Sequence, residues 1–217
     1  MKERQKRRSN YLMLVLLLAF TSCNFFNKHS DKEASLPFIG LPEFTENGDT
    51  IQYSIPKFSF INQDSLEVSH LTMRDKIFVA DFFFTTCPSI CPMLSSQMAR
   101  LQGKVNEAGF HDQVRFLSHT VDPNHDLPDT LKAFASLIGA DLSNWDFVTG
   151  KAEDIYYQAE KGYLLSAFPS DSADGGFFHT DKIALIDKQL HIRGLYDGTS
   201  TKEVDQLFND IKILLHE

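Results

Sequence analysis

One stretch, residues 76–92, constrains the fold more than any other part of the sequence. Residues 76–84 read KIFVADFFF, a nearly continuous run of β-branched and aromatic side chains. Such a run is typical of a strand buried on both faces. It leads into Cys87-Pro88-Ser89-Ile90-Cys91-Pro92, after which apolar residues recur at helical spacing through 91–108. The chain therefore passes from a buried strand into a helix at two cysteines, and this order favours an α/β layered domain.

The rest of the sequence continues this alternation of strands and helices. Further strands are predicted at 57–61, 66–68, 114–121, 145–148, 183–186 and 191–195. Further helices are predicted at 127–138, at 152–161 with Gly162 ending it, and at 201–215 with Thr201 as its cap. The order β-α-β, then β-β-α, predicts a three-layer thioredoxin-like α/β fold preceded by an N-terminal β-hairpin. The strand near Trp145 and the helix after Leu127 are elaborations of that fold.

Composition limits the functions that this domain can have. The 217 residues fit one domain, and ordinary glycine and proline contents exclude collagen-like and wholly disordered chains. The first 22 residues hold five of the 21 basic side chains and one of the 29 acidic ones. The remainder is therefore more acidic than the net charge of −8 indicates, and we expect no nucleic-acid partner because acidic surfaces repel phosphate.

The first 23 residues have the features of an export signal. A basic head at 2–8 precedes an apolar run at 11–20, and Thr21-Ser22-Cys23 follows. The run is too short for a spanning helix, which needs roughly 20 residues. Small residues followed by cysteine resemble the bacterial lipobox, which implies cleavage after residue 22 and acylation of Cys23. Alternatively, the segment is an ordinary secretory signal in which Cys23 is incidental.

The segment that follows is predicted to be a tether. Residues 23–50 mix polar residues with two prolines and have no persistent period, so we expect them to be flexible. With the signal at 1–22 and the lipid on Cys23, this predicts an exported lipoprotein anchored at a cell-envelope membrane. Its body, residues 51–217, is expected to be a monomer that faces the periplasm or the outside.

Cys87 and Cys91 are the residues that carry chemistry. Two cysteines four positions apart at a helix start lie on one face, where their sulfurs can meet one ion or each other. The positive end of the helix dipole is expected to lower the thiol pKa and favour thiolate. Thiolate is both a nucleophile and a ligand for copper(I), so thiol–disulfide exchange and copper binding both stay open. Alternatively, the two cysteines have only a structural role, as a disulfide or as a pair of buried, inert thiols.

A metal site needs a third ligand, and His179 is the best candidate among eight histidines. It follows Gly175-Gly176 in a predicted loop just before the strand at 183–186. In a thioredoxin-like sheet this loop faces the start of the cysteine helix, so His179 could complete a Cys-Cys-His site. A loop histidine bonded to a neighbour is the alternative. The other histidines are poorer candidates: His29 lies in the tether, His216 at the chain end, His70, His111 and His125 in loops, and His119 and His191 in strands.

Three segments resemble the Sco/SenC family: FTTCPSICP, TVDPNHDLPDTL and FFHTDKIALIDKQLHIRGLYDG. The resemblance covers residues from about 56 to the C-terminus. It implies a thioredoxin-like fold with an inserted hairpin, and copper binding by Cys87, Cys91 and His179. It also implies a partner, the subunit of cytochrome c oxidase that holds the binuclear copper centre. Two departures are visible: the turn 187–190 lacks the family's usual glycine, and no proline stands just before Ile183, where thioredoxins have one.

Three functions remain open on the sequence. The first is a chaperone that delivers copper(I), with coupled thiol chemistry. The second is a thiol–disulfide oxidoreductase, with Cys87 as the exposed attacking thiol and Cys91 as the resolving one. The third is a peroxidase with one reactive cysteine. A pure oxidoreductase has no need of His179, so that residue separates the first function from the second.

Overall fold

The computed structural model describes residues 35–88 and 91–217, and Ser35–Glu217 forms one compact unit. The predicted signal peptide, the predicted acylation site Cys23 and the first part of the predicted tether lie outside the described residues. Within the described part, no helix has the length and apolar character needed to cross a membrane.

Short strands and helices alternate along the described chain. The strands are β1 (Glu43–Phe44), β2 (Thr50–Ile51), β3 (Ser59–Asn62), β4 (Glu67–Ser69), β5 (Ile77–Phe83), β6 (Val114–Thr120), β7 (Trp145–Thr149), β8 (Ala167–Pro169), β9 (Phe177–His179), β10 (Lys182–Ile186) and β11 (Ile192–Asp197). The α-helices are α1 (His70–Met73), α2 (Cys91–Glu107), α3 (Pro128–Ile138), α4 (Ala152–Tyr157) and α5 (Thr201–His216).

A seven-stranded sheet in the order β11-β10-β5-β6-β7-β3-β4 forms the centre of the domain. Strands β5, β6 and β7 are parallel, and the β10–β11 and β3–β4 hairpins extend the sheet antiparallel at its two sides. All seven residues of β5 are buried, as expected for a central strand covered on both faces. The cysteine loop therefore leaves the most enclosed strand of the sheet.

Successive side chains of β5 point to opposite faces of the sheet and meet different layers. The Phe83 ring stacks at 5.0 Å on Phe134 of α3, while the Phe82 ring stacks at 5.0 Å on His119 and contacts Tyr163. Helix α2 packs against α3 and α5 on the Phe83 side. Helix α4 continues as a π-helical turn, Gln158–Gly162, that leads to Tyr163 on the other side.

The predicted fold is confirmed. Strands β5 and β6 flank α2, and the hairpin β10–β11 leads into α5, which is the thioredoxin-like arrangement predicted from the order of elements. Strand β7 and helix α3 extend it, and β3–β4 is the predicted N-terminal hairpin. The predicted cap of the last helix is wrong by one residue, because the Ser200 side chain accepts from the Glu203 N–H while Thr201 is already helical.

Two features differ from the sequence-based expectation. Residues predicted as the end of the tether pack on the domain: Ile39 bridges to Ile192, and Arg193 donates to the carbonyls of Leu36 and Pro37. The compact unit accordingly begins before residue 51. In addition, β8 and β9 form a separate antiparallel ribbon in a region that was predicted as loop.

Candidate metal centre

The structure brings Cys87, Cys91 and His179 together. Cys87 lies in the loop that follows β5, Cys91 is the first residue of α2, and His179 is the last residue of β9. One ligand atom from each residue lies within 4.8 Å of the others, and Sγ of Cys91 is 3.1 Å from Nε2 of His179. Among the described residues these three form the one group of histidine, cysteine or acidic side chains arranged in this way.

His179 is held on a strand, whereas the sequence predicted a loop. It pairs with Ala167 across the β8–β9 ribbon, and its side chain is buried beside Phe84. Nδ1 lies 3.1 Å from the Thr180 carbonyl oxygen. Because a carbonyl only accepts, Nδ1 carries the proton and Nε2 presents its lone pair to Cys91. Burial also lowers the His179 pKa, so the imidazole is neutral and able to bind a metal.

Glycine allows the ribbon to approach the cysteine loop. Gly175 has φ +76°, and a Cβ on it would lie 2.7 Å from Phe84 and 3.4 Å from Pro88. The Phe84 ring also packs against the rings of Phe177 and His179, with ring centroids 5.5 Å and 5.8 Å away. The ribbon therefore packs on Phe84, and Gly175, in the turn between β8 and β9, is a position where a side chain would clash with the Phe84 ring.

Burial opposes the expected acidity of Cys91. The helix start was predicted to lower the thiol pKa, and for Cys91 this prediction is wrong. Desolvation raises its pKa far above the usual range, and interactions with Cys87 and the charge of Asp81 add to the effect. Cys91 is 1% exposed, whereas Cys87 is half-buried. The more accessible thiol is thus Cys87, the residue predicted to attack first in thiol exchange.

A buried carboxylate, Asp126, holds the loop that precedes Cys87. It is fully buried and accepts the Thr85 N–H at 3.0 Å, the Thr85 hydroxyl and the Thr120 hydroxyl at 2.6 Å. The exposed His125 also bonds to it through Nδ1 at 2.9 Å, which raises the pKa of His125. Sequence reasoning did not identify Asp126, although it lies in the TVDPNHD segment that carries the family resemblance.

A second buried carboxyl, Asp81, lies on the same face of β5 as Phe83. It accepts a hydrogen bond from the Ser118 hydroxyl at 2.5 Å, and Ser118 accepts one from Nε1 of Trp145. Burial raises the pKa of Asp81 to about 7. When ionised, Asp81 opposes thiolate formation at Cys91, so the two groups disfavour simultaneous negative charge.

The remaining described histidines lie outside the site. His119 is buried among aromatic rings and bonds to the Tyr163 hydroxyl, as expected for a packed strand residue. His191 bonds to Asp187 in the hairpin, and His111 bonds to Asp112 and Ser143 at the surface. His70 bonds to the Phe58 carbonyl. Each of these histidines therefore has a local structural partner.

Comparison with known proteins points to one family. The sequence profile of the SCO1/SenC family matches residues 48–216. The "SCO1 protein homolog" of Bacillus subtilis (strain 168) is 31% identical over 169 residues, covering 76% of this chain and 84% of that protein. A "putative copper-binding protein" of Stutzerimonas stutzeri is 29% identical over 190 residues, covering 85% and 87% of the two chains.

Solved structures show the same similarity. A SCO1/SenC family lipoprotein from Bacillus anthracis str. Ames superimposes with a TM-score of 0.70 at 32% identity, over 75% of this chain and 95% of that one. BsSco, described as a Sco family member with a disulfide switch, superimposes with a TM-score of 0.67 at 30% identity, over 75% and 93%. The copper-bound ScoI of Arabidopsis thaliana shares the fold. It superimposes with a TM-score of 0.63 at 21% identity, and the match covers 76% of this chain and 100% of that one.

Proposed function

Because this chain is a member of the SCO1/SenC family, we propose that it delivers copper(I) to the binuclear copper centre of cytochrome c oxidase. In this proposal Cys87, Cys91 and His179 hold the ion. The observation that carries it is the convergence of two sulfurs and one imidazole nitrogen within 4.8 Å, from the junction that leads into α2 and from the separate β8–β9 ribbon. Copper is the cargo, and the protein supplies its ligands.

The three side chains match the chemistry of copper(I). Thiolate is a soft ligand that favours this ion, and imidazole is also a copper ligand. The Nδ1–H of His179 is engaged with the Thr180 carbonyl, and such a bond fixes both the tautomer and the ring orientation of a metal-binding histidine. Closed structural zinc sites take four protein ligands, whereas the group seen in the described residues has three. The donor set therefore favours copper(I) over structural zinc.

Delivery needs proton exchange and no change in oxidation state. A cysteine thiol that binds copper(I) gives up its proton, and it recovers one when the ion moves to the acceptor. The acceptor's thiols lose protons in the same exchange, so charge and protons balance across the two proteins. The high pKa of Cys91 helps release, because the empty site readily takes its proton back.

We also propose that delivery takes place at a membrane outside the cytoplasm. The predicted export signal, the acylation expected at Cys23 and the predicted tether that follows support this location. The similar protein from Bacillus anthracis is described as a lipoprotein. An anchored body with a tether could reach a membrane-bound oxidase subunit.

Thiol–disulfide exchange is the second candidate function. The half-buried Cys87 beside the buried Cys91 is the arrangement that an attacking and a resolving thiol require. In this alternative the protein reduces a disulfide of the acceptor, and the Cys87–Cys91 pair is oxidised to a disulfide in return. Two electrons and two protons pass to the acceptor's sulfurs.

Anaerobic copper(I) titration against a chromophoric chelator tests the binding part of the proposal. The wild type should bind one equivalent. Removal of an outer-sphere partner costs about 10–100-fold in metal affinity, so Cys87→Ser, Cys91→Ser and His179→Ala should each cost at least that much. His111→Ala, which changes a surface histidine, is the matched control. Binding that is indifferent to all three substitutions would contradict the proposed ligands.

Mixing the copper(I)-loaded protein with the metal-free copper-centre domain of the oxidase tests delivery. Transfer should be seen as loss of copper from this protein and its appearance in the domain after separation. Intact binding without transfer would remove delivery from the proposal. If the protein then reduces that domain's disulfide, and His179→Ala does so equally well, the oxidoreductase function is the correct one.

A further inference from the structure

The β8–β9 ribbon has two faces of different character. Phe177 and His179 point inward, where both rings contact Phe84. Phe168 and Phe178 lie directly opposite each other in the register and stack at 5.0 Å. These two side chains are 47% and 43% exposed. The ribbon thus carries a metal-binding residue on its inner face and an exposed aromatic pair on its outer face.

The exposed pair contributes little to the packing of the domain. The inner face of the ribbon is already covered by Phe84, and the ribbon is hydrogen-bonded to no other sheet among the described strands. Clustered exposed apolar side chains often mark sites of protein interaction, and aromatic anchors contribute strongly to binding. The position of Phe178, directly before His179, places this apolar surface next to the proposed copper ligands.

The charges around the pair indicate the chemistry of a partner. Residues 165–181 contain three acidic side chains and no lysine or arginine. Two of them, Asp171 and Asp174, are exposed on the connection between β8 and β9. A complementary surface presents apolar side chains flanked by lysine or arginine, which also bind well over aromatic rings.

We propose that the outer face of the β8–β9 ribbon, formed by Phe168 and Phe178 and edged by Asp171 and Asp174, is the docking surface for the copper-accepting protein. The partner binds through an apolar patch flanked by basic side chains. This inference rests on the proposed delivery function. A partner bound here lies beside His179, the ligand carried by the same ribbon.

Binding and transfer measured on separate variants test this surface. The double variant Phe168→Ala/Phe178→Ala should bind copper(I) within about threefold of wild type, because both side chains point away from the site. Its affinity for the metal-free oxidase copper-centre domain should fall about tenfold or more, and its transfer rate should fall with it. Phe44→Ala, which removes a 72% exposed phenylalanine from β1, is the matched control and should change neither quantity.

A charge-reversal variant covers the case in which the double variant disturbs the ribbon and loses copper. Asp171→Lys/Asp174→Lys changes only exposed side chains, and it should weaken the complex while copper(I) affinity is kept.

If both variants bind and transfer like a wild type that itself transfers copper, the docking surface is elsewhere and delivery still stands. A wild type that holds copper(I) but transfers none contradicts the delivery function, and the docking inference fails with it. If Phe168→Ala instead abolishes self-association in sedimentation, the face belongs to a second copy of the chain and the inference is wrong.

Discussion

Sγ of Cys91 and Nε2 of His179 lie 3.1 Å apart although 88 positions separate them in the sequence. The Nδ1–H of His179 donates a hydrogen bond to the Thr180 carbonyl oxygen, so Nε2 carries no proton and can only accept. The Cys91 thiol is therefore the donor in the contact with Nε2. The raised pKa of Cys91 agrees with a protonated thiol at neutral pH. The contact between Cys91 and His179 is therefore one between a neutral thiol and a neutral imidazole.

Copper(I) binding should release protons. The Cys91 thiol must lose its proton to become a ligand, so we expect at least one proton per copper at pH 7. Calorimetry in two buffers with different ionisation enthalpies measures this number. For each proton released, affinity should rise about tenfold per pH unit. Binding without proton release would mean that Cys91 is already a thiolate in the metal-free protein.

The charge state of Cys91 could not be predicted from its position at a helix start. The helix dipole favours thiolate, but its effect is smaller than the cost of desolvating a buried charge. Cys91 is buried in the core and contacts His179 of the β8–β9 ribbon, whose strands have three residues each and are separated by a polar stretch. The glycines before His179 suggested a loop, and the short-range pattern contained no sign of the pairing. The cysteine pair itself was predictable because the strand and the helix on either side have strong local patterns.

Gly175→Ala should weaken copper(I) binding, while Gly176→Ala should not. Both glycines have positive φ, +76° and +85°, so both substitutions cost about 1 kcal/mol of backbone strain. Only Gly175 adds a contact, since its Cβ would lie 2.7 Å from Phe84, whereas a Cβ at Gly176 meets nothing within 4 Å. Chelator competition on both variants checks the difference. Equal copper affinities in the two variants would show that the close packing of Gly175 on Phe84 does not position His179.

Asp126→Ala should lower both stability and copper affinity. The carboxylate accepts two hydrogen bonds from Thr85 and one from Thr120, and hydrogen bonds to buried charged groups contribute about 1.5–3 kcal/mol each. We expect the free energy of unfolding to fall by about 3 kcal/mol or more in urea denaturation. Copper(I) should bind more weakly because Thr85 holds the loop that leads to Cys87.

Asp129→Ala is the control for this prediction, since Asp129 is an exposed acid three residues further along the chain. Unchanged copper affinity in Asp126→Ala, together with the stability loss, would show that Asp126 supports the fold and does not position the site. Asp126 was not predictable from local pattern, because its partners Thr85 and Thr120 meet it only after β5 and β6 have paired.

His119 should make the fold sensitive to acid. Burial lowers its pKa to about 3, below the usual value of 6.5, so the folded state favours the neutral ring. Its contribution to stability is present above pH 6.5 and is lost as the pH falls toward 3, at about 1.4 kcal/mol per pH unit. The stability of wild type relative to His119→Phe should therefore rise with pH between 3 and 6.5, as measured by urea denaturation of both proteins across the range. A variant with the same acid sensitivity as wild type would contradict the assignment.

Asp81 should act in the opposite direction over an overlapping range. Its folded-state pKa of about 7 lies above the usual 3.8, so the folded protein holds this proton more tightly than the unfolded chain. The contribution is fully present below pH 4 and is lost as the pH rises toward 7, about 4 kcal/mol in total. Asp81→Asn keeps an acceptor for Ser118 and removes the charge, so it should be more stable than wild type at pH 7. In this variant the Asp81 contribution no longer offsets that of His119, so the free energy of unfolding should rise steadily from pH 4 to 6.5. Urea denaturation at half-unit pH intervals measures both slopes, and a profile parallel to wild type would show that Asp81 is ionised in the folded protein throughout.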